Sequence, residues 1–94
     1  MTQHPSLLDT DHELLQLLKD DPRQTPSMLL AAVESTDSKQ YLQNRLKHLL
    51  DHGLVDRPDR GIYELTSRGE RAADALDQYH TDRESFWSHV ESDS

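Results

Sequence analysis

Four side chains within one short stretch carry the most specific chemistry in this chain: Gln40, Gln43, Asn44 and Lys47. In a helical projection Gln40, Asn44 and Lys47 share a face with Asp37 and Asp51, and Gln43 stands beside them. A primary amide presents a donor next to an acceptor, which matches the edge of an adenine; a lysine ammonium suits guanine or a phosphate. The plain alternative is a solvated polar face. Arg57 and Arg60 follow closely, near an Asp59-Arg60-Gly61 turn, and add cations beside that face. Lys39, Arg45 and the hydroxyl of Ser38 are further candidates for holding phosphates. Arg45 lies at the boundary of an apolar stripe, so pairing with a local carboxylate is its alternative.

Other constellations are weaker. His48 and His52 stand four apart on one helix, a spacing that holds a metal when a third ligand exists, such as Asp51 or a residue of another chain. The reading adopted is two surface histidines flanking the polar face, with no metal. There is no cysteine nucleophile, no glycine-rich phosphate loop and no serine in a strand-turn-helix elbow. The carboxylates are spread as surface charge rather than set as a pair in an apolar site. No enzyme activity, no cofactor and no small-molecule ligand is expected.

The elements that position these residues are legible from apolar spacing. Leu42, Leu46, Leu49 and Leu50 recur at helical intervals over about Ser38–His52, and Gly53 is placed to stop that helix. Leu54 and Val55 begin an extended run, which reverses at Asp59-Arg60-Gly61 into Ile62–Leu65. Upstream, Thr10 or Asp9 is expected to cap a helix beginning near Asp11, with Glu13 completing a capping box. Leu14, Leu15, Leu17 and Leu18 give it an apolar face flanked by Leu7 and Leu8, and it should end near Asp21-Pro22. Thr25-Pro26 starts a second helix whose buried candidates are Met28, Leu29, Ala32 and Val33. Thr36 or Asp37 is expected to cap the third. Thr66 caps a helix from Ser67 with an inner stripe of Ala72, Ala73, Leu76 and Tyr79 or His80. A Thr81–Glu84 capping box then breaks the chain before a last short helix. Tyr41 should pack at the edge of the core.

A helix followed directly by a hairpin resembles the recognition helix and wing of winged helix-turn-helix DNA-binding domains, a family that includes small archaeal regulators. The resemblance rests on Arg45-Leu46 with Leu49, Gly53-Leu54-Val55, Gly61 with Tyr63, Leu65-Thr66 and Gly69, and covers about residues 9 to 75. The turn before the third helix departs from the commonest pattern in having no glycine. The resemblance implies a mainly α fold with a small β-hairpin: a three-helix core, a two- to three-stranded wing and a C-terminal helical extension. It divides the chain into a loose arm (1–8), a winged-helix domain (9–79) and the extension (80–94). It further implies sequence-specific binding of double-stranded DNA in transcriptional regulation. Gln40, Gln43, Asn44 and Lys47 would read bases, and Ser38, Lys39, Arg45, Arg57 and Arg60 would hold the backbone. Tyr79, Phe86, Trp87 and Val90 lie beyond the minimal core and are expected to form a homodimer interface, the alternative being that the C-terminal aromatics cap the core. The rival is a winged helix used for protein–protein interaction without DNA, since a fold does not fix a function.

Composition bounds these expectations. Ninety-four residues allow one small domain, burying only ~60–65% of the surface its unfolded chain exposes. A net charge of −8 is unusual for a DNA binder, but it is unevenly distributed. Residues 1–38 carry seven acids and two bases, residues 39–71 five acids and seven bases, and residues 72–94 six acids and one base. The middle segment alone is net basic, and it holds the candidate site. Only three of the ten bases are lysines. Acid-rich, lysine-poor usage resembles proteins of salt-loaded archaeal cytoplasms, where a Debye length of ~3 Å or less screens self-repulsion; the alternative is an ordinary acidic domain. Without cysteine, a long apolar run or a signal-peptide core, the chain is expected in the cytoplasm and away from membranes.

Overall fold

A computed structural model describes residues 6–21 and 23–91. Six helices and one hairpin follow in the order α1 (Asp9–Asp20), α2 (Pro26–Ala32), α3 (Lys39–Asp51), β1 (Val55–Asp59), β2 (Ile62–Leu65), α4 (Ser67–Asp74), α5 (Leu76–Thr81) and α6 (Arg83–Val90). At this level the expectation of a mainly helical chain with one small antiparallel hairpin holds. No described helix is long and apolar enough to cross a membrane.

The core forms where the helical stripes meet. Leu14, Leu15 and Leu18 of α1, Leu29 of α2 and Leu42, Leu46 and Leu49 of α3 are buried together with Leu54 and Val55. α1 is the central element and packs on α2, α3, α4 and β2. Two expected core residues of α2 face solvent instead: Met28 is 47% exposed and Ala32 is exposed. The helix is only seven residues long, so its single turn of contact is satisfied by Leu29 and by Val33 just beyond its end.

Caps fall close to their expected places but often on a neighbouring residue. Thr25 caps α2 through Met28 N–H, and Thr66 caps α4 through Gly69 N–H, both as expected. The α1 cap is corrected: α1 starts two residues early, and Asp11 accepts the Leu8 N–H at 2.9 Å. Thr10 is instead hydrogen-bonded to Ser35, and Glu13 accepts the Glu34 and Ser35 N–H groups. Ser38, rather than Thr36 or Asp37, caps α3 through Tyr41 N–H. Asp82, rather than Thr81, caps α6 through Ser85 N–H. An additional break at Ala75 separates α4 from α5, with no glycine or proline marking it.

The α3–hairpin junction is set by two glycines. Gly53 has φ +76° and closes a Schellman motif, with Leu54 N–H donating to Leu49 C=O and Gly53 N–H to Leu50 C=O. Gly69 permits a close approach: a Cβ there would lie 1.9 Å from the Leu54 carbonyl oxygen. Thr66 bridges the two elements by donating its hydroxyl to Gly53 C=O at 2.6 Å.

In the hairpin, Val55 pairs with Leu65, Asp56 with Glu64 and Asp59 with Ile62. Arg57 and Pro58 therefore stand opposite Tyr63 alone, a bulge that suits a proline because its missing N–H is not needed there. Tyr63 turns its backbone the other way and exchanges both hydrogen bonds with Gln24 in the α1–α2 loop, at 2.9 and 3.0 Å. The Gln24 side chain in turn donates to Leu17 and Asp21 C=O at the end of α1.

The C-terminal segment corrects the expected interface. Tyr79, Phe86, Trp87 and Val90 are 3%, 0%, 3% and 0% exposed within a single chain. Their rings stack edge to face, Tyr79 on Phe86 at 5.2 Å and Phe86 on Trp87 at 4.9 Å. α6 packs on α4 and α5, so the aromatic set completes the core instead of offering a surface to a partner. The N-terminal arm is corrected in part: Leu7 is buried, and its N–H donates to Tyr79 Oη at 2.8 Å. Apolar burial of Leu7 against α5 is the reason. Residues 1–5 of that arm lie outside the described residues.

Candidate nucleic-acid interface

α3 buries Leu42, Leu46 and Leu49, which forces Gln40, Gln43, Asn44, Lys47 and Asp51 outward, and all five are exposed or half-buried on that side. Helix periodicity thus delivers the polar face that the spacing implied. Gln40 Nε2 donates to Asn44 Oδ1 at 3.1 Å, one turn along the helix.

The hairpin rises beside that face. Between them is a groove of about 470 Å³, with Gln40, Gln43, Asn44 and Lys47 from α3 and Arg57 and Tyr63 from the hairpin in its lining. Leu50 and Asp51 complete it. The Arg57 guanidinium carbon lies 5.5 Å from the centroid of the Tyr63 ring, within cation–π range. Tyr63 is itself held by Gln24, so the wall facing α3 is braced from behind. Arg60 stands apart at the hairpin tip with Arg57 and Asp59, around a smaller hollow of about 310 Å³. The Asp59 carboxylate accepts the Arg60 N–H at 2.7 Å and fixes the turn.

The expected base-reading residues and Arg57 therefore converge, while the other four expected backbone contacts, Ser38, Lys39, Arg45 and Arg60, do not join them. Lys39 is exposed at the first turn of α3 but does not line the groove. Ser38 is engaged as the α3 cap and lines a different hollow, of about 680 Å³, with Leu8, Thr10, Ser35 and Tyr41. Tyr41, expected at the core's edge, is 37% exposed there.

Arg45 is corrected outright as a phosphate contact. It turns inward and grips Asp11 with two hydrogen bonds, Nε to Oδ1 at 2.8 Å and Nη2 to Oδ2. Asp11 is fully buried and Arg45 is only 17% exposed at its side chain. The Asp11 hydrogen bonds raise the Arg45 pKa above its ordinary value, against the opposing effect of burial. A buried carboxylate demands such a partner, since leaving it unpaired in a low dielectric is far costlier than losing an exposed contact. This pair, spanning 34 positions in sequence, fixes α3 against α1. Arg71 is likewise directed inward, donating to Val90 C=O at 2.9 Å. The basic excess of residues 39–71 is thus only partly outward; Lys39, Lys47, Arg57 and Arg60 are exposed among Asp51, Asp56 and Asp59.

The α2–α3 connection is the other positioning device. Burial acts to raise the Glu13 pKa, but hydrogen bonds from Ser35 and Glu34 outweigh it and hold the carboxyl below its usual value. The Thr10–Ser35 bond at 2.6 Å adds a second tie from α1 to this turn.

His48 and His52 approach to 4.7 Å between ring centroids. Burial, then Arg45 and His52, lower the His48 pKa below its ordinary value. Among the described residues no three His, Cys, Asp or Glu side chains gather to hold a metal ion.

Comparison with protein-family models, with curated proteins and with solved structures finds no match to this chain. Function is therefore read from the site alone.

Proposed function

We propose that the chain is a winged helix-turn-helix domain that binds double-stranded DNA sequence-specifically, as a transcriptional regulator does. α3 enters the major groove and the hairpin acts as the wing on the adjacent backbone. The observation that carries this reading is the shared groove. Four side chains suited to base edges face a guanidinium held over Tyr63 across one cleft. At ~1.5 Å per residue, α3 spans about 20 Å, and a major groove ~12 Å wide admits a helix.

Arg57 and Arg60 hold phosphates, and Lys47 bonds guanine or a phosphate. The reading stands on one copy of the chain, because the aromatic residues expected to pair two copies are buried within each. Folding and binding in concentrated KCl fit the acid-rich surface.

A protein-interaction role is the second reading. The exposed carboxylates of Asp51, in the groove lining, and Asp59, beside Arg57 and Arg60 at the hairpin tip, favour it, since they oppose a polyanion. Selection of bound duplexes from a random pool in ~2 M KCl separates the two, at an ionic strength where charges are screened within a few ångströms. Enrichment of a defined sequence by the parent, reduced by Lys47→Ala, supports DNA reading. A pool that stays random supports the interaction module.

A further inference from the structure

Gln40 and Asn44 are joined by a hydrogen bond that fixes which way each amide faces. Gln40 Nε2 donates to Asn44 Oδ1 at 3.1 Å, and both side chains line the α3–hairpin groove. A glutamine amide has two N–H donors and one acceptor; an asparagine amide has the same set. Forming this bond consumes one Gln40 donor and directs the Asn44 oxygen to Gln40, using one of its two lone pairs. What remains for a ligand is an acceptor and a donor on Gln40 and chiefly the two donors on Asn44. The pair is therefore not two interchangeable amides.

Resting on the DNA-binding reading above, we propose that Gln40 and Asn44 form one coupled reading unit in which Gln40 recognises adenine and Asn44 an acceptor edge of the adjacent base pair. Gln40 Oε1 accepts from adenine N6, and its N–H cis to that oxygen donates to N7, while the trans hydrogen stays on Asn44. Asn44 Nδ2 donates to an acceptor of the major groove: guanine O6 or N7, thymine O4 or adenine N7. Asn44 is both a contact to its own base and the positioning residue for Gln40. A bond formed before DNA arrives removes rotamer freedom that would otherwise be lost on binding, so the unit is preorganised.

A purely structural reading also exists, because glutamine–asparagine pairs at this spacing stabilise helices slightly. Base preference separates the two, since a structural bond alone does not set it. The experiment is duplex selection by the parent, Gln40→Ala, Asn44→Ala and Asn44→Asp at one KCl concentration, with a thermal melt of each. Gln40→Ala is expected to lose preference for adenine at one position by roughly 5- to 150-fold. Asn44→Asp keeps an acceptor for Gln40 and so retains adenine, but moves the adjacent pair toward cytosine, whose N4 donates to a carboxylate. Asn44→Ala relaxes both positions. If the parent selects a sequence and Gln40→Ala selects it unchanged, the coupled unit is overturned while DNA binding survives. The unit falls equally if the melts shift and no base preference does, or if Asn44→Asp alters neither position. A parent that enriches no duplex overturns the DNA reading and this inference together.

Discussion

Replacing Arg45 should cost stability, because its partner Asp11 is fully buried. Asp11 accepts from Arg45 Nε at 2.8 Å, from Arg45 Nη2 and from the Leu8 N–H at 2.9 Å. Arg45→Met leaves that carboxylate without a counter-ion, a loss of about 3–5 kcal/mol for buried pairs. A 94-residue chain at ~0.05–0.15 kcal/mol per residue has only about 5–14 kcal/mol of total stability. The single substitution should therefore remove about a fifth of it or more and lower Tm by roughly 12–40 °C. Asp11→Leu should be comparably damaging, since it strands the guanidinium and the Leu8 N–H. The double variant Asp11→Leu/Arg45→Met should recover much of the loss, because apolar replacement of a whole buried pair is often near neutral. Denaturant unfolding of all four proteins gives the coupling energy, expected at ~2 kcal/mol or more. It should persist at high salt, as buried pairs are little screened. Additive single effects, or an Arg45→Met protein as stable as the parent that binds duplex poorly, would refute the inward assignment.

Three further outcomes follow from the same structure. Phe86→Ala empties a fully buried site between Tyr79 and Trp87; it should cost ~3–5 kcal/mol in chemical denaturation, and truncation after Thr81 should unfold the chain. Acidification should destabilise the fold. Burial, then His80, lowers the His12 pKa, and burial, then Arg45 and His52, lowers that of His48, both from 6.5. The unfolded chain then takes up protons first, so stability is complete above pH 6.5 and falls as pH drops through the depressed folded values. Thermal melts from about pH 8 to about pH 5 should show that decline, and His12→Gln should flatten it. Stability should also rise between ~0.1 M and ~2 M KCl as a Debye length falling from ~10 to ~3 Å screens the acidic surface; a flat or falling series would make the acidic composition incidental.

Periodicity made most of the helical frame legible. Leu42, Leu46 and Leu49 fixed the outward face of α3, and Gly53 fixed its end, because both signals are local. The caps shifted by a residue or two, since Ser, Thr and Asp crowd each boundary and tertiary partners decide among them. Glu13 and Thr10 were claimed by the α2–α3 turn, which lies distant in sequence. The fate of Arg45 had a readable clue. Asp11 stands in register with Leu14, Leu15 and Leu18 on the apolar stripe of α1, and a carboxylate there needs a cation from another element. Which cation it takes depends on how α1 crosses α3, and that was not local information. Gln24 carried no signal, since one residue pairing with Tyr63 leaves no strand pattern. The aromatic C-terminus looked surplus because a three-helix core was assumed complete; in a chain this small the core needs α6 as well.

Mapping duplex contacts on the protein by amide chemical shifts tests the central claim most directly. A selected duplex titrated into isotope-labelled protein in ~1 M KCl, where long-range attraction is screened, should move Gln40, Gln43, Asn44, Lys47, Arg57 and Arg60. Leu8 and Tyr41 in the separate hollow should stay still, as should the Asp11–Arg45 seam. Shifts confined to that hollow or to α5 and α6, with the α3–hairpin groove silent, would contradict the account.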